Sequence, residues 1–131
     1  MKNFLFLVIA LYAFQIVSAQ DSPSVEQPKV INYSQADVKP EFPGGIEAFY
    51  KFIAKNYKMP NVKRLSGKVY VTYTIDMDGS IIDIKVLRDI GYGTGEEAIR
   101  VLQNCPKWKP AEQNGQKVRC MYSLPIALQS S

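Results

Sequence analysis

At 131 residues the chain has room for one compact domain and a short appendage. Hydrophobic residues make up 47% and charged residues 21%, which excludes disorder throughout. The net charge of +4 comes with scattered lysines rather than a basic stripe, so no nucleic-acid partner is expected. The lack of any histidine removes the Ser-His-Asp and Cys-His arrangements and the usual zinc ligand sets.

In chain order, Lys2 precedes an apolar run from Phe4 to Phe14, and the small residues Val17-Ser18-Ala19 precede Gln20. This is the layout of a secretory signal peptide over residues 1–20, cleaved near Ala19 or Gln20. The alternative is an uncleaved anchor, but Phe4 to Ala19 is 16 residues with Gln15 inside. A bilayer-spanning helix needs roughly 20. No cysteine follows the run, which argues against a lipid anchor. Residues 21–39 are polar, contain Pro23 and Pro28, and read as a linker or loosely held arm before a domain at 40–129.

Pro43-Gly44-Gly45 is a turn, and Ile46, Phe49, Ile53 and Tyr57 recur at helical spacing, predicting an amphipathic helix from Gly45 to Asn56. Pro60 limits any continuation. Val69, Val71, Tyr73 and Ile75 alternate with Tyr70, Thr72 and Thr74, the period of a half-buried strand. After Asp76-Met77-Asp78-Gly79, the alternation of Ile82, Ile84 and Val86 with Asp83 and Lys85 predicts the second arm of a hairpin. Thr94 and Glu97 have capping-box spacing, and Ala98, Val101, Leu102 and Cys105 form the apolar stripe of a second helix. Pro106 ends it, and Asn114-Gly115 is a turn signal. A last strand runs from about Lys117 to Leu128, with Val118, Cys120, Tyr122, Leu124 and Ile126 on its core face. The fold class expected is α+β, a small antiparallel three-stranded sheet with two helices packed on one face.

Pro125 lacks an N–H, and proline within a sheet belongs mainly at an edge. The last strand is therefore expected at the edge, with Arg119, Met121 and Ser123 turning their backbone groups outward. Such an edge is either protected or a template for an added strand.

Five blocks, in order, resemble the TonB C-terminal domain family: Pro40-Glu41-Phe42-Pro43-Gly44-Gly45, Gly67-Lys68-Val69-Tyr70-Val71, Asp78-Gly79-Ser80-Ile81, Pro106-Lys107-Trp108-Lys109-Pro110 and Tyr122-Ser123-Leu124-Pro125-Ile126. The resemblance covers roughly Val38 to Leu128. It implies a periplasmic domain that binds the TonB box, a short extended segment of outer-membrane TonB-dependent transporters, by strand addition beside the last strand. It thus assigns the docking edge to Arg119, Met121 and Ser123. A family contact segment that typically carries Tyr-Pro maps onto Met59-Pro60, a flanking contact in which Met59 replaces the tyrosine. Full-length TonB also has an anchor helix with a functional histidine and a long Pro-rich linker. Here there is no histidine, and about 20 linker residues span at most about 70 Å. Recognition without coupling to the inner-membrane proton-driven complex is the expectation. The alternative is a structural or regulatory adaptor that uses the same edge to form a homodimer or bind another periplasmic protein.

Export also bears on the cysteines, because disulfides persist in oxidising compartments. Cys105 and Cys120 fall on core faces, and a bridge closing a loop of about 15 residues would stabilise by about 3 kcal/mol. The alternative is two reduced thiols serving as small apolar fillers. Asp76, Asp78 and Asp83 lack EF-hand spacing and read as turn carboxylates. Trp108 is expected to pack on the sheet between solvated Lys107 and Lys109. With no nucleophile–base or paired-carboxylate constellation, neither an enzyme nor a metal or cofactor is expected.

Overall fold

The structure is a computed structural model that describes residues 29–131; the signal-peptide assignment and most of the linker lie outside the described residues. The elements are β1 (Val30–Asn32), a 3-10 turn (Tyr33–Gln35), α1 (Ile46–Asn56), β2 (Ser66–Ile75), β3 (Ile81–Arg88), α2 (Thr94–Gln103), β4 (Ala111–Gln113) and β5 (Gln116–Gln129).

The sheet forms around β5. Its residues Cys120–Gln129 pair antiparallel with β2 without interruption, from Ile75↔Cys120 to Ser66↔Gln129. β2 pairs on its far side with β3, giving the order β1-β5-β2-β3, with β4 paired to the start of β5. β1 runs parallel to β5, and β4 antiparallel to it. The expected α+β class with helices on one face is present. The sheet, however, is five-stranded and mixed rather than three-stranded and antiparallel. Both additional strands are three residues long. β4 follows from the Asn114-Gly115 turn, where both residues have positive φ (52° and 77°), the geometry of a tight two-residue hairpin.

One face of β2 and β5 carries Val69, Val71, Tyr73, Ile75, Leu124, Ile126 and Leu128, closed over by Phe49 and Ile53 of α1 and Ala98, Val101 and Leu102 of α2. Each such large apolar side chain contributes about 1.5–3 kcal/mol on leaving water. Trp108 is buried among Phe42, Phe49, Tyr73 and Tyr122, with ring centroids 4.8–6.1 Å away. A separate small cluster joins Ile31, Ala36, Ala111 and Cys120, with Val118 against it.

The hairpin departs from strict alternation. Thr74 faces Ile82 but Thr72 faces Lys85, so β3 carries an extra residue at this point, where Asp83 sits at φ 50°, and a second shift follows between Val71 and Tyr70. The bulge turns Ile82 away from the main core, which instead takes Ile81, Ile84 and Val86. The capping box is also replaced. Gly93 is the N-cap of α2, and Thr94 Oγ1 donates to Gly91 O (2.7 Å) and accepts from the Ile90 N–H (3.3 Å). Glu97 is engaged by Lys58 and Arg100 instead.

β1 is held lightly. Ile31 is its only buried residue. One such side chain contributes about 1.5–3 kcal/mol, while ordering three residues costs about 1–2 kcal/mol each. The side chain alone does not cover that cost, so attachment depends on the backbone hydrogen bonds to β5.

Candidate functional site: the outer half of β5 and its groove

The sequence expectation that β5 is an edge strand is corrected by the pairing. Cys120 and Met121 pair with β2 and also with β1, so β5 has neighbours on both sides there. Val30 faces Arg119 and Asn32 faces Met121. Two of the three expected docking residues are therefore occupied by the chain's own arm, which a compositional linker assignment had concealed. Arg119 is engaged through its side chain as well, with Nε donating to Asp76 Oδ1 at 3.0 Å. Only Ser123 lies beyond the reach of β1. The folded body accordingly extends back from residue 40 to Val30.

From Tyr122 to Gln129 no strand pairs with β5 on the side away from β2, among the described residues. Pro125 explains which backbone groups face outward there. It sits opposite Tyr70 in an unbroken antiparallel ladder and has no N–H to give. Its direction is thus away from β2, and backbone direction alternates along a strand. Ser123, Ala127 and Gln129 share that outward direction, whereas Leu124, Ile126 and Leu128 bond into the sheet. The open rail is thus shifted toward the C-terminal end of β5 from the expected Arg119–Ser123 segment.

A groove of about 300 Å³ runs beside this rail, between Leu124–Gln129 and the second half of α1. Tyr50, Ile53, Ala54 and Tyr57 line the helix side, and Met59 lies at one end. Tyr50 is 51% exposed and Met59 38%, so two large apolar side chains border the groove without being covered. Pro60 does not line it; its carbonyl accepts the Val62 N–H at 2.8 Å.

The walls are fixed from both ends. Ser130 Oγ accepts the Leu65 N–H (2.8 Å) and donates to Val62 O (2.7 Å), tying the end of β5 to the loop after Met59. At the other wall, Glu97 accepts from the Lys58 backbone N–H (2.7 Å) and from Arg100 Nε (2.8 Å) and Nη2 (2.6 Å). Arg100 Nη2 also donates to Asn56 O at 2.7 Å, and the Tyr57 hydroxyl donates to Thr94 O at 2.7 Å. Arg100, then its hydrogen-bonded neighbourhood, holds the Glu97 carboxyl below its ordinary range. Burial, helped by the Glu97 charge, pushes the Tyr57 phenol up to about 12.

The cysteines are free thiols in different clusters: Cys105 packs against the main core, and Cys120 lies under Ile31, Ala36 and Ala111. The expected bridge is therefore not formed: Cys105 follows α2 and packs against the main core, while Cys120 lies in the separate small cluster beside β1 and β4. Burial raises both thiols above their ordinary pKa. Asp78 Oδ1 accepts the Ser80 N–H at 2.9 Å, and Asp76 Oδ1 accepts the Met77 N–H at 2.7 Å, so both carboxylates hold the turn.

A mixed sheet with two helices on one face and a half-open strand beside an apolar groove defines the class of α+β domain to which this chain belongs. The chain belongs to the family described as Gram-negative bacterial TonB protein C-terminal, whose sequence profile matches residues 61–128, just over half of the chain. Membership gives it a TonB-like role in TonB-dependent transport, in a family whose domains act in the periplasm on outer-membrane transporters. The matched span runs through β2, β3, α2, β4 and nearly all of β5, and leaves out β1 and α1. No curated protein matches the chain significantly.

Proposed function

We propose that the domain binds an extended, TonB-box-type segment of an outer-membrane transporter by adding it as a strand along Ser123–Gln129, with alternate side chains entering the groove beside α1. The observation that carries this reading is the coincidence of unpaired β5 backbone with an uncovered apolar groove. Main-chain bonds would supply affinity, and Tyr50, Tyr57 and Met59 would select apolar side chains. The protein acts in this account as an exported, non-enzymatic gripping module of the periplasm, without itself transmitting force from the inner membrane.

Ala127→Pro tests it. The substitution removes an outward donor while sparing the ladder to β2, so the fold is retained by circular dichroism. Affinity for a synthetic TonB-box peptide, read by calorimetry, falls about tenfold, the equivalent of one lost hydrogen bond. Unchanged affinity contradicts docking on this rail. Concentration-dependent dimerisation with no response to peptide would favour the self-pairing adaptor instead.

A further inference from the structure

We infer that β1 is a displaceable resident strand that regulates the docking edge, an inference that rests on the strand-addition reading above. β1 occupies Arg119–Met121, directly in line with the open stretch that begins at Tyr122. An incoming strand that pairs with Ser123–Gln129 can lengthen toward Arg119 only by taking the positions held by Asn32 and Ile31.

The arm is built to stop at that point. Gln35 Oε1 accepts the Asn32 N–H at 3.0 Å, and the 3-10 turn carries the chain off the edge. Lys39 Nζ donates to Tyr33 O (2.9 Å) and Ala36 O (3.2 Å), and lies 5.2 Å from the Tyr33 ring centroid. Tyr33 in turn stands edge-on to Tyr122, with centroids 5.1 Å apart, at the boundary between occupied and open backbone. A groove bounded by Asn32, Tyr33, Ser34 and Met121–Ser123 marks the same junction.

Departure of β1 leaves the principal core intact, because Ile31 belongs to the small cluster with Ala36, Ala111 and Cys120 rather than to the one beneath α1 and α2. β1 also lies outside the residues shared with the family profile. The resident strand therefore acts as an intramolecular competitor: short segments bind the open half freely, and longer ones bind fully only by exchanging with it. Leaving also uncovers Cys120, which supplies a native reporter.

The test uses the full chain and two synthetic TonB-box peptides, one of twelve residues and one of its central five. In Ile31→Cys, oxidation with diamide joins the new thiol to Cys120, its partner across the ladder, and locks β1; diamide takes up the two electrons and two protons released. In Ile31→Asp the apolar anchor is lost. Relative to wild type, the twelve-residue peptide binds about tenfold more tightly to Ile31→Asp and about tenfold more weakly to locked Ile31→Cys. Dithiothreitol restores the locked protein, which serves as the control should Ile31→Asp fold poorly. The five-residue peptide binds all forms alike. In the wild type, saturating long peptide accelerates alkylation of Cys120, resolved from Cys105 by mass spectrometry. Equal binding of the long peptide to locked and reduced protein, with Cys120 still protected, overturns the resident-strand inference and leaves the groove reading standing. Absence of binding by every form overturns both.

Discussion

Gly79 shows how one position joins the hairpin to the aromatic core. At φ 91° it occupies backbone space that L side chains rarely adopt, and a Cβ there would lie 2.0 Å from Trp108 O. The same glycine's carbonyl accepts the Trp108 N–H at 2.9 Å. Gly79→Ala therefore combines backbone strain with a clash against main chain that cannot rotate away. We expect a loss of about 2–5 kcal/mol in urea unfolding, with the hairpin and Trp108 fluorescence both perturbed. A loss below about 0.5 kcal/mol would show that the turn and the Trp108 segment shift freely. Pro125 is the second informative residue. Its missing donor argues for an outward-facing position but carries no information on how far a neighbouring strand reaches. The structure puts that limit at Met121.

Among the elements, α2 and the end of α1 are coupled through Glu97, Arg100, Lys58, Asn56 and Tyr57, and this coupling sets one wall of the groove. The Glu97 carboxyl is held below its unfolded value of about 4.5, so its contribution is complete above that pH and is lost as pH falls through the folded value. Tyr57 has the opposite sign: raised from 10.0 to about 12, it stabilises fully below pH 10 and loses its contribution between pH 10 and about 12. Glu97→Gln should cost about 1–2 kcal/mol at pH 7 and flatten the acid limb of stability below its unfolded value. An acid limb identical to wild type in urea melts would assign the coupling elsewhere. The regular elements were legible because their periods are unambiguous: Phe49 and Ile53 mark the inner stripe of α1, and Val69 to Ile75 the inner face of β2. β3 was read one residue out of phase at Ile82, because a bulge at Asp83 leaves no local composition signal. Thr94 and Glu97 have the spacing of a capping box, yet Gly93 takes the N-cap, Thr94 bonds back to Ile90 and Gly91, and Glu97 is engaged by Arg100 and the Lys58 N–H. β4 was foreshadowed by Asn114-Gly115, whose two-residue turn requires paired flanks, whereas β1 has only Val30 and Ile31 to announce it.

For the whole molecule, the five sequence blocks identified the family, and the topology relocated the interaction. Arg119, Met121 and Ser123 share one backbone direction, as alternation requires, but β1 divides them into a covered part and an open part. Which half is open depends on a contact between residues some ninety positions apart, information carried by tertiary pairing rather than by any local pattern. The groove was similarly hidden, since Tyr50 and Tyr57 read as ordinary members of an amphipathic helix until α1 was placed beside Leu124–Gln129. Met59, onto which the family's contact segment maps, is among the residues that line the groove.

The central claim is that a partner strand completes β5 along its outer half, and amide hydrogen exchange of the full chain with and without saturating TonB-box peptide tests it most directly. The account predicts an alternating pattern: Ser123 and Ala127, whose N–H groups face outward, become at least about tenfold slower to exchange, while Leu124 and Ile126, already bonded to β2, change little. Peptide saturation that leaves Ser123 and Ala127 unprotected, or that protects a different surface, would contradict it.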